Sequence, residues 1–551
     1  MSKRNNKEKG SKILDQIITI TIATTSLIAF PWLKLDSTNL PKFVTLTSGG
    51  FTCLIIIILS LKKILTSEFR NLTIIYLSFI LVSTLVIFFA DLEASTQLFG
   101  RLGRNTGYIS YISLFSILMI TSIISTKIMQ RKFLILTLSV CSISLLIGYL
   151  QFLEISPIRN ISDFGKVVGF FSNVNFHSAF IGIVISTLLP YLLSKSTSSL
   201  SKMFVFVLMF LGVGQILISE SIQGLFIFLI SSSITFGLFL RASRPFKILV
   251  TYIIFNLIIL FMGFIALQNK GPLASFIYEA SIKSRGEYWA AGWKMTTLHP
   301  WFGVGFDGYG DWYRRARTLE SVLSSNKDVT TDAAHNVFLD ISSSGGFPLL
   351  LIYLTLVIYT LFSAIRVLKR SREFNAPFVA IFAGWVAYQV QSLISINQLG
   401  LAIWGWVLTG LIIGYEINTR GGQEQSSPLA GIRGLKTKAL SGFLVGAIIA
   451  VVPLVNLTRL ESAAANGNLE NILNISKQHP NNIGMIEQTL ISLYEQQRFG
   501  ECLELAKFAT INFENSYVSW KILSLLPGLD AAEVNNIRNE LNRLDPLFEK
   551  K

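Results

Sequence analysis

Apolar and polar positions follow each other along this chain in long blocks, without the short periods of a soluble helix or strand. The apolar blocks are about twenty residues long, the length that an α-helix needs to cross the hydrocarbon core of a bilayer. They predict twelve membrane spans and one extra span, at 13–33, 41–61, 71–90, 107–126, 133–151, 176–194, 203–219, 222–240, 248–267, 346–365, 375–395, 398–417 and 439–457. The predicted fold class is therefore all-α, a polytopic membrane helical bundle.

The pattern changes after Arg459 to that of a soluble helical protein. Helical stretches are predicted at 468–478, 482–495, 500–511, 515–525 and 531–543, separated by Pro, Asn and Gly. Pro480 and Glu514 end successive helix pairs 34 residues apart, which is the period of tetratricopeptide repeats. We therefore expect a tetratricopeptide-like, helical-repeat domain at 458–551.

The part of the chain before this tail divides into four segments. Basic residues at 1–12 precede a long first span without a small-residue cleavage site, so we expect an uncleaved anchor. The predicted membrane domain covers 13–417 and contains one large polar loop, 268–345. Residues 418–438 read as a flexible linker that leads into the extra span at 439–457.

Composition and charge agree with the membrane class. Hydrophobic residues make up 51 % of the 551 residues and charged residues only 14 %, with a mean hydropathy of +0.55. The net charge of +15 is concentrated on one side, with 24 Lys and Arg on the segments assigned to the inside and 6 on the short outside loops. The positive-inside rule then places the N-terminus and the linker in the cytoplasm, and the large loop and the tail outside. The charge is a topology signal, so we expect no nucleic acid partner.

The three cysteines, Cys53, Cys141 and Cys502, are scattered along the chain. They show neither a disulfide framework nor the spacing of metal ligands. The outside loops also contain no carboxylate pair or His/Cys cluster with metal-ligand spacing. We therefore expect neither a cofactor nor a metal.

Candidate chemistry is concentrated in the large polar loop. Ser281–Leu298 has the pattern of a helix that lies along the membrane interface, and it includes Arg285 and Trp289. A glycine-rich turn follows at 300–310, whose backbone amides could approach a ligand. His335 and Asn336 stand just before the next span, and a histidine with a reference pKa near ~6.5 is suited to act as a general base. Asp332 is the alternative base.

Polar residues in two earlier outside loops have two interpretations each. Arg101 and Arg104 offer planar guanidinium groups that suit phosphate oxygens, or they extend to the interface as long basic side chains do. Asn173 and Asn175 would orient a hydroxyl-rich ligand or cap the helix that follows them.

With these residues in order, the chain resembles the O-antigen ligase/polymerase superfamily of bacterial inner-membrane proteins, over about 10–420. The resemblance rests on the span plan, on His335-Asn336 ahead of Gly346, and on Ser284-Arg285 with Trp289 ahead of the turn at 300–305. Arg104 is similar to an outside arginine of the family, while Asn173-Val-Asn175 departs from the commoner Asn-Pro-Asn. A tetratricopeptide tail behind an extra span also occurs among relatives.

The resemblance implies transfer of a glycan from a polyprenyl-diphosphate carrier to an acceptor hydroxyl on a glycan, lipid or protein, at the outer face of the cytoplasmic membrane. It implies His335 and Arg285 as catalytic residues. The substrate-binding residues would be Arg104, Arg101, Trp289, Asn173, Asn175 and Asn336. Arginines would stabilise the departing diphosphate, His335 would take the acceptor proton, and the anomeric carbon would be inverted.

Three other functions stay open from the sequence. A polymerase of lipid-linked repeat units differs from a ligase only in its acceptor. A transporter or flippase of lipid-linked glycans would show charges along a path through the spans, and the spans are almost free of them. A protein that assembles partners through its C-terminal repeats would need fewer spans than this chain has.

Overall fold

The computed structural model describes residues 2–125, 127–158, 167–272, 274, 280–324, 330–420, 428–429, 432 and 434–547. Within these ranges the chain forms 22 helices and no strand, which confirms the all-α prediction. Two basic residues of a predicted short outside loop, Arg159 and Lys166, lie outside the described residues, as do 421–427, 430–431 and 433 of the predicted linker.

The first ten helices precede the large loop. In chain order they are α1 (Ser2–Leu27), α2 (Asn39–Leu65), α3 (Arg70–Phe89), α4 (Ala94–Phe99), α5 (Tyr108–Ile124), α6 (Lys127–Phe152), α7 (Val174–Leu193), α8 (Ser199–Ile218), α9 (Gln223–Ser243) and α10 (Phe246–Leu267).

The loop, the remaining spans and the tail contribute twelve more helices. The loop holds α11 (Ala280–Leu298), α12 (Tyr309–Ala316) and α13 (Leu319–Ser324). The later spans are α14 (Val337–Arg370), α15 (Ala376–Ile394), α16 (Leu399–Asn418) and α17 (Leu435–Ala465). The tail consists of α18 (Leu469–Lys477), α19 (Ile483–Glu495), α20 (Phe499–Asn512), α21 (Tyr517–Leu525) and α22 (Ala531–Leu544).

Each predicted span overlaps a helix. Among the described residues, eleven helices are long and apolar enough to cross a membrane, namely α2, α3, α6 to α10 and α14 to α17. The apolar helix α5 is shorter, with 17 residues, and the side chains of α1 are described only from Lys12 onward. The chain is thus a multi-pass membrane protein.

The helix after the loop begins earlier than its predicted start at 346. Asn336 caps α14 by accepting hydrogen bonds from the backbone amides of Phe338 and Leu339, at 3.0 and 3.2 Å. The helix therefore starts in the polar segment that the hydropathy pattern assigned to the loop. Its backbone breaks at Gly346, where φ is 68°, and Pro348 lies in the first turn after the break.

Two helices form the centre of the bundle. The span α16 is wholly buried and packs against α5, and α2 packs between α5 and the extra span α17. In contrast, no residue in the most apolar stretch of α10 is buried, and this helix packs chiefly on α9. The exposed apolar faces of α8 to α10 are the surface that a bilayer would cover.

Some charged side chains inside the described spans form ion pairs, whereas the buried Lys42 of α2 donates to the backbone carbonyl of Ile28 at 2.9 Å. Asp15 of α1 pairs with Lys132 of α6. At the end of α16, the buried Glu416 pairs with Arg370 of α14 and with Arg420, the latter at 2.7 Å. The Asp15–Lys132 and Glu416–Arg370 pairs join neighbouring helices.

The five tail helices agree with their predicted positions to within two residues. They share an apolar core in which each helix packs on the next, and the rings of Tyr494 and Phe499 lie 5.9 Å apart. This packing suits a helical repeat. The assignment of the tail to the tetratricopeptide family stays a prediction.

The tail is docked on the polar loops at one end of the bundle. Arg317, beside α12, donates to both carboxylate oxygens of Asp545, at 2.9 and 2.8 Å, and both side chains are buried. Asn482 ahead of α19 donates to the carbonyl of Gly100 at 3.0 Å. The large loop and the tail therefore lie at the same end of the membrane bundle.

Candidate active site

His335 occupies a turn that is anchored on both sides. Its φ of 53° lies in the left-handed region, which residues other than glycine rarely adopt without support from the surroundings. Before it, the amide of Ala334 donates to the Asp340 carboxylate at 2.7 Å. After it, Asn336 caps α14 and donates to the carbonyl of Leu393 at 3.1 Å. These contacts hold the His335 backbone in its unusual conformation.

The imidazole of His335 faces an aromatic ring and two cations. The ring centroid of Tyr288, on α11, lies 5.6 Å from that of His335. Burial, together with the positive charges of Arg285 and Arg104, lowers the pKa of His335 to about 4, against a raising contribution from Asp332. His335 is therefore neutral near pH 7 and able to accept a proton.

Arg285 lies on α11, one turn before Tyr288, and is half-buried. Its Nε is shielded from solvent and has no hydrogen-bond partner. No ion pair or hydrogen bond is formed by its guanidinium within the part of the chain that the structure describes, and burial lowers its pKa. A buried donor without a partner is costly, so this guanidinium is well suited to receive an anionic ligand.

Arg104 reaches the same place from the loop before α5. Its Nη1 donates to the backbone carbonyl of Asp332, and its Nε lies 3.6 Å from the Asp307 carboxylate. Asp307 also accepts from the backbone amides of Arg101 and Thr106, at 3.0 and 3.1 Å. Asp307 thus ties this loop to the glycine-rich turn and holds Arg104 close to His335.

The glycine-rich turn packs on α14, and its amides at Val304 and Gly305 donate to backbone carbonyls of that helix. The amide of Val304 donates to the carbonyl of Ser343 at 2.7 Å, and the amide of Phe347 donates to that of Pro300 at 2.8 Å. Gly303 has a φ of +62°, and a Cβ there would lie 2.3 Å from the Ser343 carbonyl oxygen. The glycines allow this close approach beside the break at Gly346.

A cavity of about 520 Å³ opens beside His335. Its walls come from the loop before α5, from α11 and α12, from the segment before α14, and from the tail. The lining residues are Arg101, Tyr288, Gly310, Asp311, Arg314, Thr330, Thr331, Asp332, His335, Glu487, Tyr517 and Val518. Arg285, Arg104 and Trp289 are not among them.

Comparison with known families bears on the segment that carries this site. Residues 204–354 match the family model described as O-antigen ligase. This match supports the resemblance of the chain to the O-antigen ligase/polymerase superfamily. No curated protein matches the chain.

The matched segment, 204–354, contains Arg285, Trp289, His335 and Asn336. Arg101 and Arg104 precede it, and the tail follows it. The site nevertheless combines residues that precede the matched segment, residues within it and residues of the tail. The family model supports an O-antigen ligase/polymerase-type membrane glycosyltransferase with a lipid-linked glycan substrate.

Arg101 lines the cavity beside His335, but two carboxylates already balance its charge. Its Nη1 lies 2.5 Å from Asp311 of α12, and its Nη2 lies 2.6 Å from Glu487 of α19. Arg101 therefore links the large loop to the tail.

Like Arg104 and Asn336, three more predicted binding residues lie outside the cavity lining. Asn173 caps α7 by accepting from the amide of Asn175 at 2.8 Å, and the Asn175 side chain accepts from Ser221 at 2.7 Å. Trp289 lies on α11 with 37 % of its surface exposed. The two asparagines are thus engaged at the start of α7, and Trp289 does not line the cavity.

Sequence analysis missed Asp307, Asp311, Glu487 and Tyr517 as parts of the site. No local motif marks them, because each acquires its position through a contact with a distant segment. Tyr288 is different, since it stands three residues after Arg285 on a predicted helix, a spacing that places two side chains on one face.

The described residues contain no group of three or more His, Cys, Asp or Glu side chains arranged to hold a metal ion. Cys53, Cys141 and Cys502 are buried free thiols. Of the two guanidinium groups near His335, that of Arg285 has no counter-ion among the described residues, whereas that of Arg104 lies 3.6 Å from Asp307 and 3.7 Å from Asp332.

Proposed function

We propose that this protein transfers a glycan from a polyprenyl-diphosphate carrier to an acceptor hydroxyl, as O-antigen ligases do. The observation that supports this most strongly is the neutral, half-buried His335 beside Arg285, a guanidinium without a counter-ion among the described residues. A base next to an unoccupied cation is what attack on a diphosphate-linked sugar requires.

In the proposed reaction the two groups have separate roles. Arg285, with Arg104 beside it, binds the donor diphosphate. The N–H groups of its planar guanidinium stabilise the negative charge that develops on the leaving oxygen. His335 takes the proton of the acceptor hydroxyl as that oxygen bonds to the anomeric carbon. The bond from this carbon to the diphosphate breaks, and its electron pair leaves with the polyprenyl diphosphate. Attack from the opposite face inverts the anomeric carbon, with no metal in any step.

Donor binding would also raise the pKa of His335. A histidine with a pKa of about 4 is a weak proton acceptor at neutral pH. The negative diphosphate would offset the charges of Arg285 and Arg104, and opposite charges nearby raise the pKa of a histidine. His335 would thus become a stronger base only when the donor is in place.

Two alternative functions differ in their substrates or products. A polymerase would use a second lipid-linked repeat unit as acceptor, and the same site would serve it. A transporter or flippase would need several charged groups along a path through the bundle. In the described spans Asp15 and Glu416 are ion-paired, and the buried Lys42 donates to the backbone carbonyl of Ile28.

The test is reconstitution of the purified protein in vesicles that contain a polyprenyl-diphosphate-linked glycan. We expect elongation of an added acceptor, release of polyprenyl diphosphate in equal amount, inversion at the new linkage, and no loss of rate with EDTA. Movement of the intact donor between leaflets without release would favour a transporter. Loss of transfer on EDTA addition would contradict the metal-free step.

We further propose that the protein lies in the bacterial inner membrane with the loop and the tail outside the cytoplasm. The three native cysteines are buried, so an introduced cysteine reports sidedness. Ile511 of the tail is 80 % exposed, and Arg372 lies exposed in the turn between α14 and α15. An impermeant thiol reagent should label Ile511→Cys in cells whose inner membrane is intact, and Arg372→Cys only after that membrane is permeabilised. The reverse pattern would contradict this orientation.

A further inference from the structure

The cavity beside His335 has a wall that belongs to the tail. Glu487 of α19, together with Tyr517 and Val518 of α21, faces residues of the large loop across it. These tail residues come from beyond the last membrane span. The cavity therefore exists in this form only while the tail is docked.

The docking contacts are buried and specific. Asp545 accepts from Arg317 at 2.8 Å and from Arg314 at 3.2 Å, and the exposed fractions of the Arg317 and Asp545 side chains are 2 % and 0 %. Asn515 accepts from Arg315 at 2.9 Å. Breaking such a buried pair leaves a charge without compensation. The tail is therefore a fixed wall of the site and not a free arm.

His335 lies between two halves of the site, one with Arg285 and Arg104 and the other with the cavity. The cavity lining includes His335 but neither Arg285 nor Arg104. Under the proposed function the diphosphate binds at these arginines, and the acceptor hydroxyl must touch His335. The cavity is thus the half that remains for the acceptor.

The cavity lining suits a neutral, hydroxyl-rich ligand. Carboxylates balance the charges of its arginines, with Asp311 and Glu487 beside Arg101 and Asp545 beside Arg314. The described lining therefore offers no unpaired arginine to a second anion. The guanidinium of Arg314 lies 4.1 Å from the centre of the Tyr517 ring and holds it in place. A volume of about 520 Å³ falls within the range of ~300–1,000 Å³ typical of small-molecule sites.

We propose that the C-terminal domain forms the acceptor subsite, and that Tyr517 and Val518 select the glycan end that presents its hydroxyl to His335. This inference rests on the proposed function. It makes the tail a determinant of specificity within the same site.

The test compares two Val→Trp variants of the full-length protein in vesicles. Val518→Trp fills the cavity, whereas the matched control Val534→Trp lies on α22, where Val534 is 50 % exposed and outside the lining. With a series of mono-, di- and trisaccharides as acceptors, Val518→Trp should raise the KM for acceptor at least tenfold. The KM for the lipid-linked donor should stay within twofold, and Val534→Trp should match the parent in both.

A smaller change keeps the test decisive if the Trp variant loses its docked tail. Val518→Ala enlarges the same wall and should change the preference between di- and trisaccharide by about threefold or more. Unchanged acceptor KM in Val518→Trp, unchanged preference in Val518→Ala, or an equal loss for donor and acceptor would overturn the subsite. Donor consumption without transfer to any saccharide would overturn the acceptor class. A parent protein that consumes no donor would instead overturn the proposed function.

Discussion

The two sides of His335 differ in how their charges are balanced. On one side Arg285 is half-buried and, among the described residues, has no counter-ion. On the other side Arg101, Arg314 and Arg317 each meet a carboxylate. Because a buried charge is normally paired, we propose that the unpaired guanidinium of Arg285 binds the anionic substrate, with Arg104, which pairs with Asp307 and Asp332, beside it. The arginines on the other side build the wall of the site.

Removal of Asp545 should have the largest effect on the paired side. In Asp545→Ala the buried Arg317 loses its counter-ion, and such a loss typically costs about 3–5 kcal/mol. We expect the tail to undock, with faster hydrogen exchange and proteolysis in α18 to α22. The exposed Glu470 offers a control on the same domain, and Glu470→Ala should cost less than about 1 kcal/mol. Equal protection of the tail in both variants would show that this ion pair does not hold it.

Replacement of Arg285 should act on catalysis and leave stability unchanged. Loss of a donor to a developing negative charge typically lowers kcat about 10²–10³-fold, so Arg285→Ala should lose transfer to this degree. Arg285→Lys should recover little, since a point charge does not replace the planar fork. Arg101→Ala should instead weaken tail docking, because it leaves Asp311 and Glu487 without their cation. Parental transfer in Arg285→Ala would remove this residue from the mechanism.

The pH dependence of glycan transfer should show that Arg285 affects the pKa of His335. Because His335 must be neutral to accept a proton, and its pKa is about 4 in the free protein, kcat/KM for the donor should be constant above about pH 6 and fall below about pH 5. Arg285→Ala removes one cation that lowers this pKa, so the fall should move to higher pH. The remaining neighbours, Arg104, Asp332 and Tyr288, are the same in both proteins. An unmoved acid limb would show that another group controls it.

The smallest effect is expected at Asn173. Its side chain accepts from the amide of Asn175 at the start of α7, and loss of such a cap typically costs ~1 kcal/mol. Asn173→Ala should therefore lower the melting temperature slightly and transfer glycan at the parental rate. A loss of transfer at unchanged stability would restore Asn173 as a substrate-binding residue.

The helices of this protein follow from local properties of the sequence, and for that reason they were predictable. Span length and apolarity located the helices of the bundle, and short amphipathic stretches located those of the tail. The start of α14 was missed because its first turns, from Val337 to the break at Gly346, are too polar to read as membrane. There the Asn336 cap, and not hydropathy, sets where the helix begins.

The site was predictable only where local signals mark it. His335 and Arg285 combine a reactive side chain with a position in an outside loop. Arg101 and Arg104, three residues apart, look alike in the sequence, yet one pairs with the tail and the other lies near the base. Contacts such as Arg101–Glu487 depend on where distant segments meet. No periodicity or motif encodes that.

The most direct measurement of the central claim compares His335→Ala with His479→Ala, a histidine exposed on the tail. Donor binding and glycan transfer are measured on the same preparations. Loss of a general base typically costs about 10²–10⁴-fold, so His335→Ala should lose transfer to this extent and still bind the lipid-linked donor through Arg285 and Arg104. His479→Ala should match the parent in both. Near-parental transfer by His335→Ala would contradict the account and make Asp332 the candidate base.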